Sequence, residues 1–312
     1  MSTQPSPSRP LRLGTRQSPL AMAQAEETRR LLLQAQGWGE DAIELVKVRA
    51  TGDRITDRPL AEIGGKAVWT KELDAALVTG EIDFAVHSAK DVETIRPAEI
   101  AIAAVLERED VRDVLVGATS ISAIPPGAIV GTSAPRRAAQ LLNARPDCEV
   151  VPIRGNVATR LAKLAAGDVQ ATFLAQAGLN RLGETGVGRP LETADWLPAP
   201  AQAAIAIECR ADDDATRDLL SAIDHSASHR AVLMERALLE GLGGTCHSPI
   251  AVLTTPRDDA ALTMRAALFS PNGAHRIEDE IEISSEDAAR GLAETLLSRA
   301  VPAIADTFGG AR

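Results

Sequence analysis

The sequence contains no tyrosine, only four phenylalanines and only three tryptophans. Flat aromatic side chains are what stack exposed bases in a single-stranded nucleic-acid groove. A formal net charge of −10 would also repel a phosphate backbone. Nucleic acid is therefore not expected as a partner. Cysteine is nearly as scarce: Cys148, Cys209 and Cys246 share no paired spacing, and an odd count fits a reducing compartment. No apolar run approaches the ~20 residues that span a bilayer. Met1 to Pro10 is polar with three prolines, which reads as a disordered leader and not a signal peptide. A cytoplasmic protein without a membrane partner is expected. Lysine is rare too. Only Lys47, Lys66, Lys71, Lys90 and Lys163 are lysines among 33 basic residues, and the rest are arginine.

What is present is ordinary for a globular chain, with 45% hydrophobic and 24% charged residues. Its 312 residues exceed one compact core and point to two or three domains. Strand and helix patterns alternate. Leu11 to Gly14 reads as a strand, Ser18 as a helix N-cap with Pro19 at the first helical position, and Gly37 as the stop. Ile43 to Arg49 is the next strand. Thr51 to Lys66, punctuated by glycine and proline, is too long for a tight connection, and loops of this kind are functional lids or disordered. Lys71 to Thr79 is a helix. Phe84 to Val86 is an apolar strand ending in His87, Ser88, Lys90 and Asp91, at the sheet edge where α/β proteins bind ligands. If the extension persists, His87, Ala89 and Asp91 share one face and Ser88 and Lys90 the other. A charged turn, Arg108 to Asp113, separates two further short strands.

A second strand-to-helix unit starts at Ile129. Gly131-Thr132-Ser133-Ala134-Pro135-Arg136-Arg137 parallels Gly14-Thr15-Arg16-Gln17-Ser18-Pro19, so two similar α/β lobes are expected. Leu197 to Ala204 reads as a Pro/Ala connector, and Ile205 to Glu208 as a strand returning to the first lobe. After about His225 comes a helix, then Gly241-Leu242-Gly243-Gly244-Thr245-Cys246, then strands near 250–254, 262–269 and 276–283 with an Asn272-Gly273 turn. A closing helix spans about Glu286 to Phe308. This is a small α+β domain. The expected division is a leader over 1–10, lobe 1 over 11–106 with 204–221, lobe 2 over 112–197, and a C-terminal domain over 226–312.

Arg16, Arg136, Arg137, Arg154 and Arg160 fall at strand-to-helix junctions beside hydroxyls and glycines. Helix N-termini favour anions, and guanidinium binds carboxylate or phosphate through two parallel hydrogen bonds. The set points to a ligand with several carboxylates or to a polyphosphate. No P-loop is present, which disfavours nucleotide. Cys246 alone among the cysteines lies on a Gly-rich loop; a reactive thiol and a loop residue without a role both remain open. His87, Ser88 and Asp91 cannot converge as a hydrolytic triad from one strand end. His87 and Asp91 also lack a third metal ligand at sensible spacing, so no metal is expected.

Taken in order, these motifs resemble the porphobilinogen deaminase family over nearly the whole chain. They are Thr15-Arg16-Gln17-Ser18-Pro19-Leu20-Ala21, Gly64-Gly65-Lys66, Lys71-Glu72-Leu73, His87-Ser88-Ala89-Lys90-Asp91-Val92 and Glu107-Arg108-Glu109-Asp110. Gly131-Thr132-Ser133 before Arg136-Arg137, Arg154-Gly155-Asn156-Val157 to Arg160, Ala177-Gly178-Leu179 to Arg181, Ile207-Glu208-Cys209-Arg210 and the Gly-Gly-Thr-Cys loop complete them. The resemblance implies two type II periplasmic-binding-protein-like α/β lobes plus a small α+β C-terminal domain. It implies a dipyrromethane cofactor joined to Cys246 by a thioether, and the addition of four porphobilinogens with loss of ammonia before hydroxymethylbilane is released. Asp91 matches the catalytic aspartate. Lys90, Thr132, Ser133, Arg136, Arg137, Gly155 and Arg160 match cofactor-binding positions, and Arg16, Ser18, Lys66, Arg154 and Arg181 substrate-binding ones. A monomer is the family expectation.

Two departures bear on the site. Ala134-Pro135 replaces a common Ser-Leu pair, and Pro200-Ala201-Gln202-Ala203-Ala204 replaces a Gly-rich hinge segment. The rival reading is a two-lobed anion-binding protein without catalysis, since a fold does not fix a function.

Overall fold

The computed structural model describes residues 7–49, 70–245, 247–257 and 261–309. Contacts divide them into two compact units. One comprises residues up to 49, 70–109 and Ala203–Arg230; the other comprises Asp110–Gln202 and the residues from Ala231 onward. Elements are numbered along the chain.

The first unit is built on β1 (Leu11–Arg16), β2 (Ile43–Val48), β3 (Phe84–Ser88), β4 (Ile100–Val105) and β10 (Ile205–Arg210), in the order β2-β1-β3-β10-β4. The first three strands are parallel, and β10 runs against both β3 and β4. The returning strand after the connector is thus confirmed, and it makes β3 central. Helix α1 (Pro19–Gln36) begins as its sequence dictates. Ser18 Oγ accepts from Ala21 N–H at 3.3 Å, and Gly37 ends the helix in a left-handed conformation, φ 71°. Helix α2 (Lys71–Val78) follows. Leu13, Leu32, Phe84, Ile205 and Ile207 form the core against α1. Arg9, inside the stretch read as a disordered leader, is held: its guanidinium donates to both oxygens of Asp83 at 2.7 Å.

The second unit repeats this topology. Strands β5 (Asp113–Val116), β6 (Ile129–Gly131), β7 (Glu149–Val151), β8 (Ala171–Ala175) and β9 (Arg189–Pro190) are ordered β7-β6-β8-β5-β9. Again three strands are parallel and the fourth is reversed. Helices α3 (Pro135–Ala144), α4 (Val157–Ala165) and α5 (Gln176–Arg181) follow β6, β7 and β8. Each lobe is an α/β unit built on a five-stranded mixed sheet.

After α6 (Asp214–Ser221) and α7 (Ser226–Gly241), an antiparallel sheet forms from β11 (Ile250–Pro256), β12 (Leu262–Phe269) and β13 (Arg276–Ile283). It has its own core with α8 (Glu286–Arg299), including Leu238, Leu242, Val252, Met264 and Leu292. It also packs on lobe 2, where Ala139 and Leu197 meet Ala251, Ala267 and Phe269. The single closing helix expected to Phe308 is interrupted instead. Ala300 and Val301 are extended, and α9 (Pro302–Ala305) begins anew. Pro302 lacks the N–H that a continuous helix needs and disfavours helical backbone in the residue before it.

Candidate active site

Asp91 owes its position to the end of β3. Phe84, Ala85, Val86 and His87 are buried between neighbouring strands. The alternation expected through Asp91 stops at Ser88, because Ala89–Asp91 forms a turn of 3₁₀ helix. The turn is pinned by Ala89 N–H to the Ala204 carbonyl at 3.0 Å and by Val92 N–H to the Ala89 carbonyl at 3.2 Å. Lys90 and Asp91 therefore project from a turn instead of opposite faces of a strand, and both are partly exposed. Arg16, the last residue of β1, brings Nη1 to 3.9 Å from Asp91 Oδ2. Ser18, expected to meet substrate, uses its hydroxyl oxygen as the α1 cap. Ser88 is fixed from below: its Oγ accepts from Gln24 Nε2 at 2.8 Å and donates to Gln24 Oε1 at 3.1 Å.

Beneath the turn lies a charged network whose roles the sequence did not reveal. Arg96 grips Glu208 through Nε and Nη2, both at 2.8 Å, and reaches Asp74 at 2.6 Å. Glu208 is fully buried. His87 Nε2 lies 3.3 Å from Glu208 Oε2, yet the geometry is not a hydrogen bond, and this nitrogen has no hydrogen-bond partner among the described residues. Burial pushes the His87 pKa down; Glu208 opposes this and Arg96 reinforces it. His87 thus serves as a neutral core histidine.

The second unit carries the other predicted residues. Thr132 and Ser133 occupy the turn between β6 and α3, and Arg136 and Arg137 lie in the first turn of α3. Thr132 N–H donates to the Val151 carbonyl at 2.9 Å, and Ser133 Oγ donates to the Ile153 carbonyl at 2.9 Å. These bonds bring the β6–α3 junction beside the β7–α4 junction, which bears Arg154, Gly155 and Arg160. Ala134, in place of a serine, caps α3 without a side-chain bond, and Thr132 Oγ1 accepts its N–H at 3.1 Å. Asn156 caps α4 by accepting from Thr159 N–H at 2.9 Å. Gly155 has φ 113°, and a Cβ there would come within 2.6 Å of the Thr159 side chain. Arg160 Nε donates to the Gly155 carbonyl at 3.0 Å. Arg181 ends α5, on the far side of β8 in sequence.

Arg136 and Arg137 are not solvated. Both are buried and both bind Asp113, which is fully buried at the start of β5. Arg136 Nη1 donates to Oδ2 at 2.5 Å and Arg137 Nη2 to Oδ1 at 2.7 Å; Trp196 Nε1 and Gln202 Nε2 add donors at 2.8 and 2.9 Å. Burial alone would raise the Asp113 pKa, but the two guanidinium charges hold it far below the usual carboxylate range. In the sequence Asp113 closes the charged turn that starts at Arg108. Only the arginines more than twenty positions later explain its burial. Nε of Arg136 and Nε of Arg137 are buried and have no acceptor among the described residues. Orphaned buried donors are rare, and these two N–H groups lie on adjacent guanidiniums. Cys246, Lys66 and the Thr51–Lys66 lid lie outside the described residues.

Each unit thus carries an α/β lobe with guanidinium and hydroxyl groups at its strand-to-helix junctions, which makes this a two-lobed α/β protein, and one lobe adds a partly exposed carboxylate. Residues 11–218 match the family model "Porphobilinogen deaminase, dipyromethane cofactor binding domain", and residues 229–298 match "Porphobilinogen deaminase, C-terminal domain". The porphobilinogen deaminase of Sphingopyxis alaskensis is 53% identical over 97% of this chain and 98% of its own length. Those of Paracoccus denitrificans and Nitrobacter hamburgensis are 48% and 45% identical, each over 96% of this chain and over 97% and 96% of their own. The chain belongs to the porphobilinogen deaminase family and binds a dipyrromethane cofactor.

Proposed function

We propose that the chain condenses four porphobilinogens head to tail, releasing ammonia at each addition, with Asp91 as the catalytic carboxylate. When bound, the dipyrromethane supplies the pyrrole carbon to which the first substrate is joined. The observation that carries the assignment is Asp91 on its pinned turn with Arg16 at 3.9 Å. Loss of ammonia leaves the substrate electron-poor, with positive charge shared by the pyrrole nitrogen. A carboxylate at that nitrogen stabilises the charge and can take and return its proton, an effect of about 10²–10⁴-fold.

Each substrate brings an acetate and a propionate, so carboxylates accumulate as the product grows. Arg16, Ser18, Lys66, Arg154 and Arg181 are proposed to hold those of the substrate. Lys90, Thr132, Ser133, Arg136, Arg137, Gly155 and Arg160 are proposed to hold those of the cofactor, with Cys246 as its covalent anchor. The two buried Nε donors support this reading for the arginine pair. The expected bounds of the two lobes and the C-terminal domain, a monomeric state, a cytoplasmic location and the lack of a nucleic-acid partner complete the proposal. Among the described residues, no helix is long and apolar enough to cross a membrane.

Intact mass of the purified protein tests the anchor. The expected result is a mass above the bare chain and colour with Ehrlich's reagent, both lost in Cys246→Ala. A Cys246→Ala protein that still carries the added mass would overturn the assignment.

A further inference from the structure

Ala201 and Ala203 both adopt left-handed backbone, with φ 55° and 70°, and both are buried. An L-residue with a Cβ enters that region only against steric crowding, so such a pair persists where its surroundings over-determine it. The surroundings are specific. Ala201 N–H donates to Glu235 Oε2 at 2.6 Å, and Glu235 Oε1 accepts from Thr254 N–H at 2.9 Å. Between the two alanines, Gln202 is 1% exposed. Its Nε2 donates to the Val111 carbonyl at 2.7 Å and to Asp113 Oδ1 at 2.9 Å, while its Oε1 accepts from Arg136 Nη2 at 3.3 Å.

We propose that Gln202 is a positioning residue for Arg136 and Arg137, and that the left-handed alanines are the frame that delivers it to Asp113. Gln202 touches both the carboxylate and one of the guanidiniums that the carboxylate orients. It shares Asp113 Oδ1 with Arg137 and contacts Arg136 directly. Removing its amide leaves Arg137 alone on that oxygen and frees one edge of Arg136. The Nε donors of both arginines then lose their register toward a ligand. The inference rests on the reading of Arg136 and Arg137 as cofactor carboxylate donors.

The test compares full-length Gln202→Leu with Arg136→Leu. Cofactor occupancy is read by intact mass, and KM and kcat for porphobilinogen are measured on the loaded fraction. Trp196, which donates to the same carboxylate, gives a spectroscopic signature in a Trp38→Phe/Trp69→Phe background. For Gln202→Leu, occupancy should fall or KM rise by about tenfold, the scale of one to two buried hydrogen bonds. kcat should change less than threefold and Trp196 emission should shift. Arg136→Leu should lose occupancy at least as strongly. Full occupancy and wild-type KM in Gln202→Leu, with Arg136→Leu empty, would overturn the inference alone. Full occupancy and wild-type kinetics in both would instead refute the arginine reading on which it rests. If the leucine variant does not fold, Gln202→Asn, one methylene shorter, replaces it, and wild-type occupancy and KM there overturn the inference equally.

Discussion

Arg16 Nη1 stands 3.9 Å from Asp91 Oδ2, too far for a hydrogen bond and close enough for a strong Coulombic attraction. Two unit charges at that separation attract by about 4 kcal/mol at an effective dielectric of 20. Asp91 is 35% exposed on its side chain, so solvent screens part of that figure. Arg16 therefore faces Asp91 as a neighbouring cation and not as a hydrogen-bond donor. A pyrrole N–H can approach the carboxylate oxygens while the cation remains in place.

Replacement of that carboxylate should separate binding from turnover. Asp91→Asn keeps the size and most polar contacts of the side chain but cannot neutralise positive charge on a pyrrole nitrogen. The variant should fold and retain its cofactor, with turnover lower by roughly 10²–10⁴-fold. Single-turnover assays with mass spectrometry of the enzyme-bound chain would check this. A rate within threefold of wild type would remove Asp91 from the mechanism.

The network beneath the turn predicts an inversion of pH dependence. In the wild type the His87 pKa is lowered, chiefly by burial. Its contribution to stability is therefore complete above the unfolded value of ~6.5 and declines as pH falls. Arg96→Met would leave the fully buried Glu208 facing His87, 3.3 Å away, without its cation. Breaking a buried pair in this way costs about 3–5 kcal/mol. Protonated His87 can offset part of that loss, which raises its folded pKa in the variant. The variant's deficit should therefore be smaller at pH 5.5 than at pH 7.5. Urea titrations of both proteins at the two pH values measure it, and an equal or larger deficit at pH 5.5 refutes the coupling.

A second acid transition should follow from Asp83 and Asp113. Burial would raise both pKa values. Asp83 is nevertheless held at about 2 by Arg9 and by the Arg12 N–H and guanidinium, and Asp113 is driven down by Arg136 and Arg137. A carboxylate with a depressed folded pKa stabilises the native state above its unfolded value, ~3.9, and loses that contribution as pH falls. Stability should thus drop steeply below about pH 4. For Asp83 the loss between pH 4 and 2 is about 2 kcal/mol, the shift converted at ~1.4 kcal/mol per unit. Asp83→Asn should flatten this part of the curve, and an unchanged slope would show that the Arg9 and Arg12 pairs contribute nothing.

Local signals were the legible part of this chain. Ser18 with Pro19, Gly37, the Asn272-Gly273 turn and the apolar run of β3 each carry their cause within a few residues, and each element appeared where its sequence placed it. The two-lobe repeat was legible for the same reason, because Gly-Thr and Ser before Pro recur at both junctions. Partnerships across long separations were not. Nothing near Asp113 reveals that Arg136, Arg137, Trp196 and Gln202 will converge on it. Arg96 looks like one more surface arginine until β10 brings Glu208 beside it. The turn at Ala89 was missed because its anchor, the Ala204 carbonyl, lies more than a hundred residues away. Family resemblance supplied Cys246 and the ligand, which local chemistry had left open.

Gly155 offers a test of the β7–α4 junction proposed to hold the cofactor. Its φ of 113° lies where an L-residue is strained, and an added Cβ would meet Thr159 Cγ2 at 2.6 Å. Thr159 cannot yield freely, because its N–H and hydroxyl both donate to the Asn156 cap at 2.9 Å. Gly155→Ala must therefore shift the backbone between Arg154 and α4, or break the cap. Strain of this kind costs on the order of 1–3 kcal/mol, and a lost cap adds about 1 kcal/mol. The same shift displaces the carbonyl that accepts from Arg160 Nε. The variant should be less stable by those amounts and should load cofactor poorly, with Arg154 and Arg160 moved out of register. Thermal denaturation and intact mass together check the pair of effects. Loss of stability with full cofactor occupancy would confine Gly155 to the turn and deny its junction a part in holding the cofactor.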